Sequence, residues 1–232
     1  MKCRIIKIIN IIMALLIVIL LSIDRENEIE TYTKVRTDIL DYKIKKVALT
    51  FDDGPDGEYT EKLLDGLKER NVKATFFVTG INIVENERLI QRMAEDGHLI
   101  GNHTYTHSNL EQMSFERACE EINDTNSYIE NLTKKKVKYI RPPYGAFNDK
   151  LKEETDMAIV MWNVDPLDWK EQNAKVIASR IEKQVKSGDI ILLHDIYESS
   201  VDAALLVIDE LKEQGYIFVT VDEMKQSDKI IR

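Results

Sequence analysis

From about Lys46 onward, short apolar runs alternate with longer amphipathic ones, and this alternation restricts the fold more than any other feature of the chain. The runs at Val47–Phe51, Ala74–Val78, Leu99–Gly101, Tyr139–Ile140, Ile159–Val164, Ile190–Leu193 and Ile217–Thr220 have the length and the β-branched or aromatic content of buried strands. Helical periodicity is clearest at Thr60–Arg70, Arg88–Glu95, Ser114–Asn131, Ala174–Lys186 and Val201–Gln214, and Gly97 and Gly215 stand where helix-terminating glycines belong. Strands that alternate with helices pair in parallel and carry the helices on their outer face. About seven such units in roughly 185 residues predict a distorted, incomplete (β/α) barrel with about seven parallel strands rather than a full eight-unit one. An open doubly wound sheet is the alternative.

The first 23 residues are a different material. Lys2, Arg4 and Lys7 form a basic cluster, and Ile8 to Ile23 contain no charge, with only Asn10 and Ser22 as polar interruptions. A spanning helix needs about 20 apolar residues and a signal-peptide core roughly 7 to 15, so this run falls between the two. The exit, Leu20-Leu21-Ser22-Ile23-Asp24, lacks a small-x-small cleavage pattern, which favours an uncleaved apolar anchor helix over a signal peptide. The basic flank would keep the N-terminus in the cytoplasm and place the remainder outside, membrane-tethered, or secreted if the segment is cleaved. Residues 24–43 are polar, without strong periodicity, and are expected to form a spacer.

Charge and cysteine content exclude other classes. The net charge is -9, and removing the +3 of the N-terminal cluster leaves -12 on residues 24–232. Nucleic acid is therefore not an expected partner, and an anionic polymer would have to be held by local contacts. Two cysteines, Cys3 and Cys119, make no disulfide framework. The fold must stand on its core, with a metal as the available staple.

Five polar clusters fall at or just beyond the carboxyl ends of five expected strands: Asp52-Asp53, His103 with His107, Arg141 to Tyr144, Asp165 with Asp168, and His194-Asp195. In a parallel barrel those ends share one face, where side chains distant in sequence converge. Two adjacent carboxylates repel unless a cation holds them, so Asp52-Asp53 calls for a metal or an arginine nearby. By itself an Asp-Asp-Gly-Pro string is more often a turn. Two histidines four residues apart, with one carboxylate, make a three-ligand site with open positions, as in hydrolytic zinc centres. An isolated pair of histidines would be a surface feature. Here three of the four histidines lie at strand ends, while His98, before a strand, is expected to be structural. Pro142-Pro143 fixes a rigid exit that can hold Arg141 against a carboxylate.

The segments TFDDGP, HTYTH, RPPYG, DPLDW and LLHD, in this order, resemble the five motifs of the polysaccharide deacetylase family, also called the NodB-homology domain or carbohydrate esterase family 4. The resemblance spans about Lys45 to Asp222, within a domain expected at residues 44–226. It implies a metal-dependent hydrolase that removes N-acetyl groups from N-acetylhexosamine residues of a cell-envelope polysaccharide, peptidoglycan above all, and releases acetate. By the same resemblance Asp53, His103 and His107 would bind one divalent ion, zinc first and cobalt or another divalent ion as substitutes. Asp52 would be the catalytic base and Arg141 its tether, His194 the general acid and Asp168 the residue that orients it. Trp169 and Leu192 would wall the acetyl pocket, and the Tyr144 backbone N–H would stabilise an oxyanion. Asp165 and Asp195 would have supporting parts. The expected partners are the N-acetylated polysaccharide and the membrane, for a chain acting as a monomer. The motifs leave open an O-acetyl esterase of xylan-like polymers; a carbohydrate-binding module without catalysis should have lost a ligand or the acid.

Overall fold

In the computed structural model, residues 44–147 and 149–224 are described. The N-terminal apolar segment and the spacer lie outside them. No helix among the described residues is long and apolar enough to cross a membrane.

The central strand is β1 (Lys45–Asp52), buried from Val47 onward. It is followed by α1 (Tyr59–Glu69), β2 (Thr75–Val78), the single-turn α2 (Gly80–Ile83), α3 (Glu87–Glu95), β3 (Leu99–Asn102), α4 (Phe115–Thr133) and β4 (Tyr139–Ile140). The chain continues through α5 (Asp149–Glu154), β5 (Ala158–Ile159), α6 (Ala174–Gln184), β6 (Ile190–His194), α7 (Glu198–Glu213) and β7 (Tyr216–Phe218). The sheet order is β5-β4-β3-β2-β1-β6, with β7 beside the first residues of β1, and every pairing is parallel. Gly97 and Gly215 carry the left-handed φ of helix terminators, 83° and 82°.

The period-2 alternation of the strands sorts their side chains into an outer and an inner layer. On β1, Val47, Leu49 and Phe51 join the large cluster under the helices, which includes Leu63, Leu67, Ile208 and Leu211. Ala48 faces the other way, into an inner cluster with Phe77, Val160 and Ile190. Thr50 and Asp52 lie above Ala48 on that inner face. On β6 the same parity puts Ile191 and Leu193 in the outer cluster and Ile190, Leu192 and His194 inside. Gly101 of β3 leaves room for Phe77, since a Cβ there would lie 2.6 Å from the Phe77 ring.

The expected strand at Ile159–Val164 is broken, and the break has a topological cause. Val160 donates to the Ile140 carbonyl (2.9 Å), on the β4 edge, whereas Asn163 donates to the Ile190 carbonyl (2.9 Å) and Leu192 to that of Val164 (2.9 Å), on the β6 edge. One bent segment thus bonds both edges of the sheet and closes the barrel, which also disposes of the open-sheet alternative. Its central residues, Met161 and Trp162, leave the ladder. Two short helices, α2 and α5, were not among the expected elements.

Candidate active site

The inner parity of β1 and β6 ends on Asp52 and His194, which are register partners across the two strands. The loops that follow the strands depart sharply from regular backbone. Of the seven non-glycine residues with positive φ among the described residues, five are Asp53 (75°), Thr104 (65°), His107 (56°), Tyr144 (60°) and Leu167 (58°). All five belong to the polar clusters or sit between their members. Such conformations cost on the order of 1 to 3 kcal/mol each and persist only where surrounding contacts over-determine them.

Asp53, His103 and His107 converge. Asp53 Oδ1 lies 3.4 Å from His103 Nε2 and 3.2 Å from His107 Nε2. One ligand atom from each of the three can be chosen so that all lie within 4.8 Å of one another. The two measured spacings match the edge of a tetrahedron with bonds of about 2.1 Å, as in zinc sites. Asp53 Oδ1 is buried and makes no hydrogen bond; Asp195 Oδ1 shares that state, but Asp53 Oδ1 also faces two imidazole nitrogens, the surroundings of an oxygen that ligates a cation. Burial pushes the Asp53 carboxyl up, but the neighbouring His103, His107 and His194 outweigh it and hold the pKa below the usual value. His107 is lowered, by burial first, with Asp53 opposing, and so favours the neutral form that ligates.

The backbone that aims these groups is fixed. The Asp53 carbonyl accepts from Thr79 Oγ1 (3.1 Å) and Asn82 Nδ2 (2.8 Å). His103 Nδ1 meets the Arg141 carbonyl at 2.6 Å, so Nδ1 carries the proton and Nε2 presents its lone pair to the cluster. The two histidines sit on a curled loop, not a helical turn. The His107 ring packs edge-on against Tyr144 with centroids 4.9 Å apart.

Arg141 is fully buried and reaches β1 from the exit of β4. Its Nη1 donates to Asp52 Oδ1 and to Thr50 Oγ1, both at 2.7 Å. Nε donates to the Val160 carbonyl (3.1 Å) and Nη2 to that of Met161 (3.2 Å). These are the carbonyls around the break in the closing segment. The guanidinium also lies over the Phe77 ring, 4.3 Å from its centroid. Burial lowers the Arg141 pKa, and the Asp52 charge opposes that shift.

The second pair is His194 with Asp168. Asp168 is buried, accepts from the His194 backbone N–H (2.8 Å) and contacts His194 Nδ1 at 2.9 Å. Burial pulls the His194 imidazole down, but the Asp168 hydrogen bond and charge, with Asp52 and Asp53 adding, push it up to about 9. Trp169, next along the chain, is 55% exposed, and Tyr144 is 71% exposed. Leu192 is buried on the inner face one pleat below His194. Asp165 is a turn former, accepting from Leu167 N at 2.8 Å. Asp195 is a buried acid beneath the Asp53-Gly54 turn. Its Oδ2 accepts from Thr60 Oγ1 (2.5 Å), and burial, partly offset by that bond, raises its pKa to about 7. His98 is structural, as expected. Its Nδ1 accepts from Ala74 N, and burial, with Lys73 adding, lowers its pKa to about 4.

Sequence reasoning passed over Thr50 and Asn102. Thr50 is one pleat from Asp52 on the same face, which period 2 could have flagged. Asn102 Oδ1 accepts from Thr104 N (2.7 Å) and its Nδ2 donates to the Ile122 carbonyl (2.8 Å), a tie visible only once α4 packs on β3.

Comparison with known proteins agrees with this geometry. A family model described as polysaccharide deacetylase matches residues 40–160, which is more than half of the chain. The chain belongs to the polysaccharide deacetylase family. Among relatives of this deacetylase domain, the peptidoglycan-N-acetylmuramic acid deacetylase PdaC of Bacillus subtilis is 40% identical over 200 residues, covering 86% of this chain and 43% of that protein. A peptidoglycan-N-acetylglucosamine deacetylase of Bacillus cereus is 41% identical over 195 residues, covering 81% of this chain and 71% of that protein. The solved structure of Bacillus subtilis PdaC superposes with a TM-score of 0.77 at 41% identity, covering 79% of this chain and 91% of that one. The chain thus spans less than half the length of the first of these relatives.

Proposed function

We propose that this protein is a metal-dependent N-deacetylase acting on peptidoglycan. The observation that carries the reading is the convergence of Asp53, His103 and His107 beside two charge-tuned pairs, Asp52–Arg141 and His194–Asp168. The peptidoglycan substrate is supported by the relatives, which include both a peptidoglycan-N-acetylmuramic acid deacetylase and a peptidoglycan-N-acetylglucosamine deacetylase.

Asp53, His103 and His107 would hold one divalent cation, and the hard-soft balance of two imidazoles and a carboxylate favours zinc. Such an ion, when bound, polarises an amide carbonyl and lowers the pKa of water from 15.7 towards about 7. Asp52 takes the proton of the attacking water at Oδ2, because Arg141 occupies Oδ1. The Tyr144 backbone N–H donates to the developing oxyanion, a contact whose loss typically costs about 10² to 10³ in rate. An amine leaves poorly as an anion, so His194, its Nδ1 engaged by Asp168, delivers a proton from Nε2 to the departing nitrogen. Leu192 and Trp169 wall the methyl group of the acetyl. The products are acetate and a free amino sugar.

The basic cluster and apolar run of residues 2–23 support a domain held outside the cytoplasmic membrane, where this substrate lies. The test incubates the full-length chain and Zn²⁺ with peptidoglycan, N-acetylglucosamine oligomers and acetylxylan, and measures acetate and new amines. Acetate with an equal yield of amines from peptidoglycan is expected. Acetate from acetylxylan alone, or from none of the three, would overturn the reading.

A further inference from the structure

The loop between the two histidines is held by a side chain outside the five motifs. Glu121 lies in the second turn of α4 and is only 4% exposed. Its Oε2 accepts from the backbone N–H groups of Tyr105 (2.9 Å) and Thr106 (2.7 Å), and its Oε1 accepts from Thr106 Oγ1 (2.9 Å). Thr106 Oγ1 in turn meets Ser108 Oγ at 2.6 Å. Both carboxylate oxygens are therefore committed to the residues between His103 and His107. That segment is flanked by two positions in the left-handed region, Thr104 and His107, neither of them glycine. Residues held there relax unless neighbouring contacts fix them.

A buried carboxylate is a costly way to satisfy two amides when an asparagine or serine would do. Its advantage is that three acceptor contacts from one rigid helix fix the loop at two successive peptides and one side chain. Partners that orient metal ligands typically change metal affinity or activity 10- to 100-fold when removed. We propose that Glu121 is a positioning residue for the metal site, setting the direction of His103 and His107 through the peptide units between them. The inference rests on the reading that these histidines and Asp53 hold a metal ion.

The chemistry of the three contacts makes the proposal specific. In Glu121→Gln the amide oxygen can take both backbone N–H groups, and the NH₂ can donate to Thr106 Oγ1, which then turns its own proton to Ser108. Glu121→Gln should therefore keep the loop, whereas Glu121→Ala should lose it, and Glu121→Asp falls one methylene short. The experiment uses the full-length chain and its variants, with Zn²⁺ affinity read by chelator competition and site geometry by the visible spectrum of the Co²⁺ form. Amide hydrogen exchange at Tyr105 and Thr106 is read on the metal-free chain. The expected result is a loss of Zn²⁺ affinity of about 10- to 100-fold in Glu121→Ala, a changed Co²⁺ spectrum, lost amide protection, and near wild-type behaviour in Glu121→Gln. If Glu121→Ala does not fold, Glu121→Asp takes its place in each comparison. Unchanged affinity and protection in the alanine or aspartate variant would overturn the proposal, as would a glutamine variant as defective as they are. A wild-type chain that binds neither ion would instead remove the metal reading, and the exchange measurement would still decide whether Glu121 holds the loop.

Discussion

At the scale of single residues the site is a set of charges, each held by a partner that leaves one atom available. Arg141 takes Oδ1 of Asp52, the Arg141 carbonyl takes Nδ1 of His103, and Asp168 takes Nδ1 of His194. The last pair makes a pH prediction. In the proposed mechanism His194 is the general acid, which works only while protonated, so activity is expected to fall as pH rises through its pKa. With a cation at Asp53 the contributions of Asp52 and Asp53 are offset, and the alkaline limb of the wild type lies below the metal-free value of about 9. Asp168→Asn removes the carboxylate charge and should move that limb about one to three pH units down. A pH–kcat profile of the two proteins checks this, and coincident limbs would separate Asp168 from His194.

At the scale of elements, Arg141 connects β1, the exit of β4 and the bent closing segment through four donated hydrogen bonds. A lysine offers a point charge in place of a planar fork and cannot reach all four acceptors. Arg141→Lys should leave Asp52 or the Val160 and Met161 carbonyls unpaired, lowering stability by about 3 to 5 kcal/mol in urea unfolding and activity with it; a variant with wild-type stability would show that the fork is dispensable. The legibility of the sequence differs between these same elements. β1 and β6 were plain because their apolar runs end abruptly on Asp52 and His194, and the parallel register then brings those ends together. The gathering of Asp53, His103 and His107 was readable from strand-end placement, and the five motifs made the family evident. The closing segment was not, because Ile159–Val164 is apolar but for Asn163 and nothing local records that it must bond two opposite edges. Glu121 was equally hidden. It sits in an amphipathic helix where an acidic residue is normally solvated, and only the packing of α4 over the histidine loop gives it partners.

At the scale of the molecule, the barrel separates stability from chemistry. The layer between the helices and the sheet and the lower interior are apolar, while the carboxyl ends of the strands carry the buried charged groups of the site and most of the strained backbone. The acidic balance of residues 24–232 gives no bulk attraction for an anionic polymer. The proposed substrate would therefore have to be held by local contacts, and the strand-end loops expose Tyr144, Leu167, Trp169 and Tyr197 for them. The account as a whole depends on one cation organising that face. Its most direct test is to load the full-length chain with Zn²⁺, dialyse away free ion, and count metal per chain by mass spectrometry alongside acetate release. The account predicts one ion per wild-type chain, with both the ion and the acetate lost in His103→Ala. A His103→Ala chain that keeps its ion, or a chelated wild type that releases acetate at an undiminished rate, would contradict it.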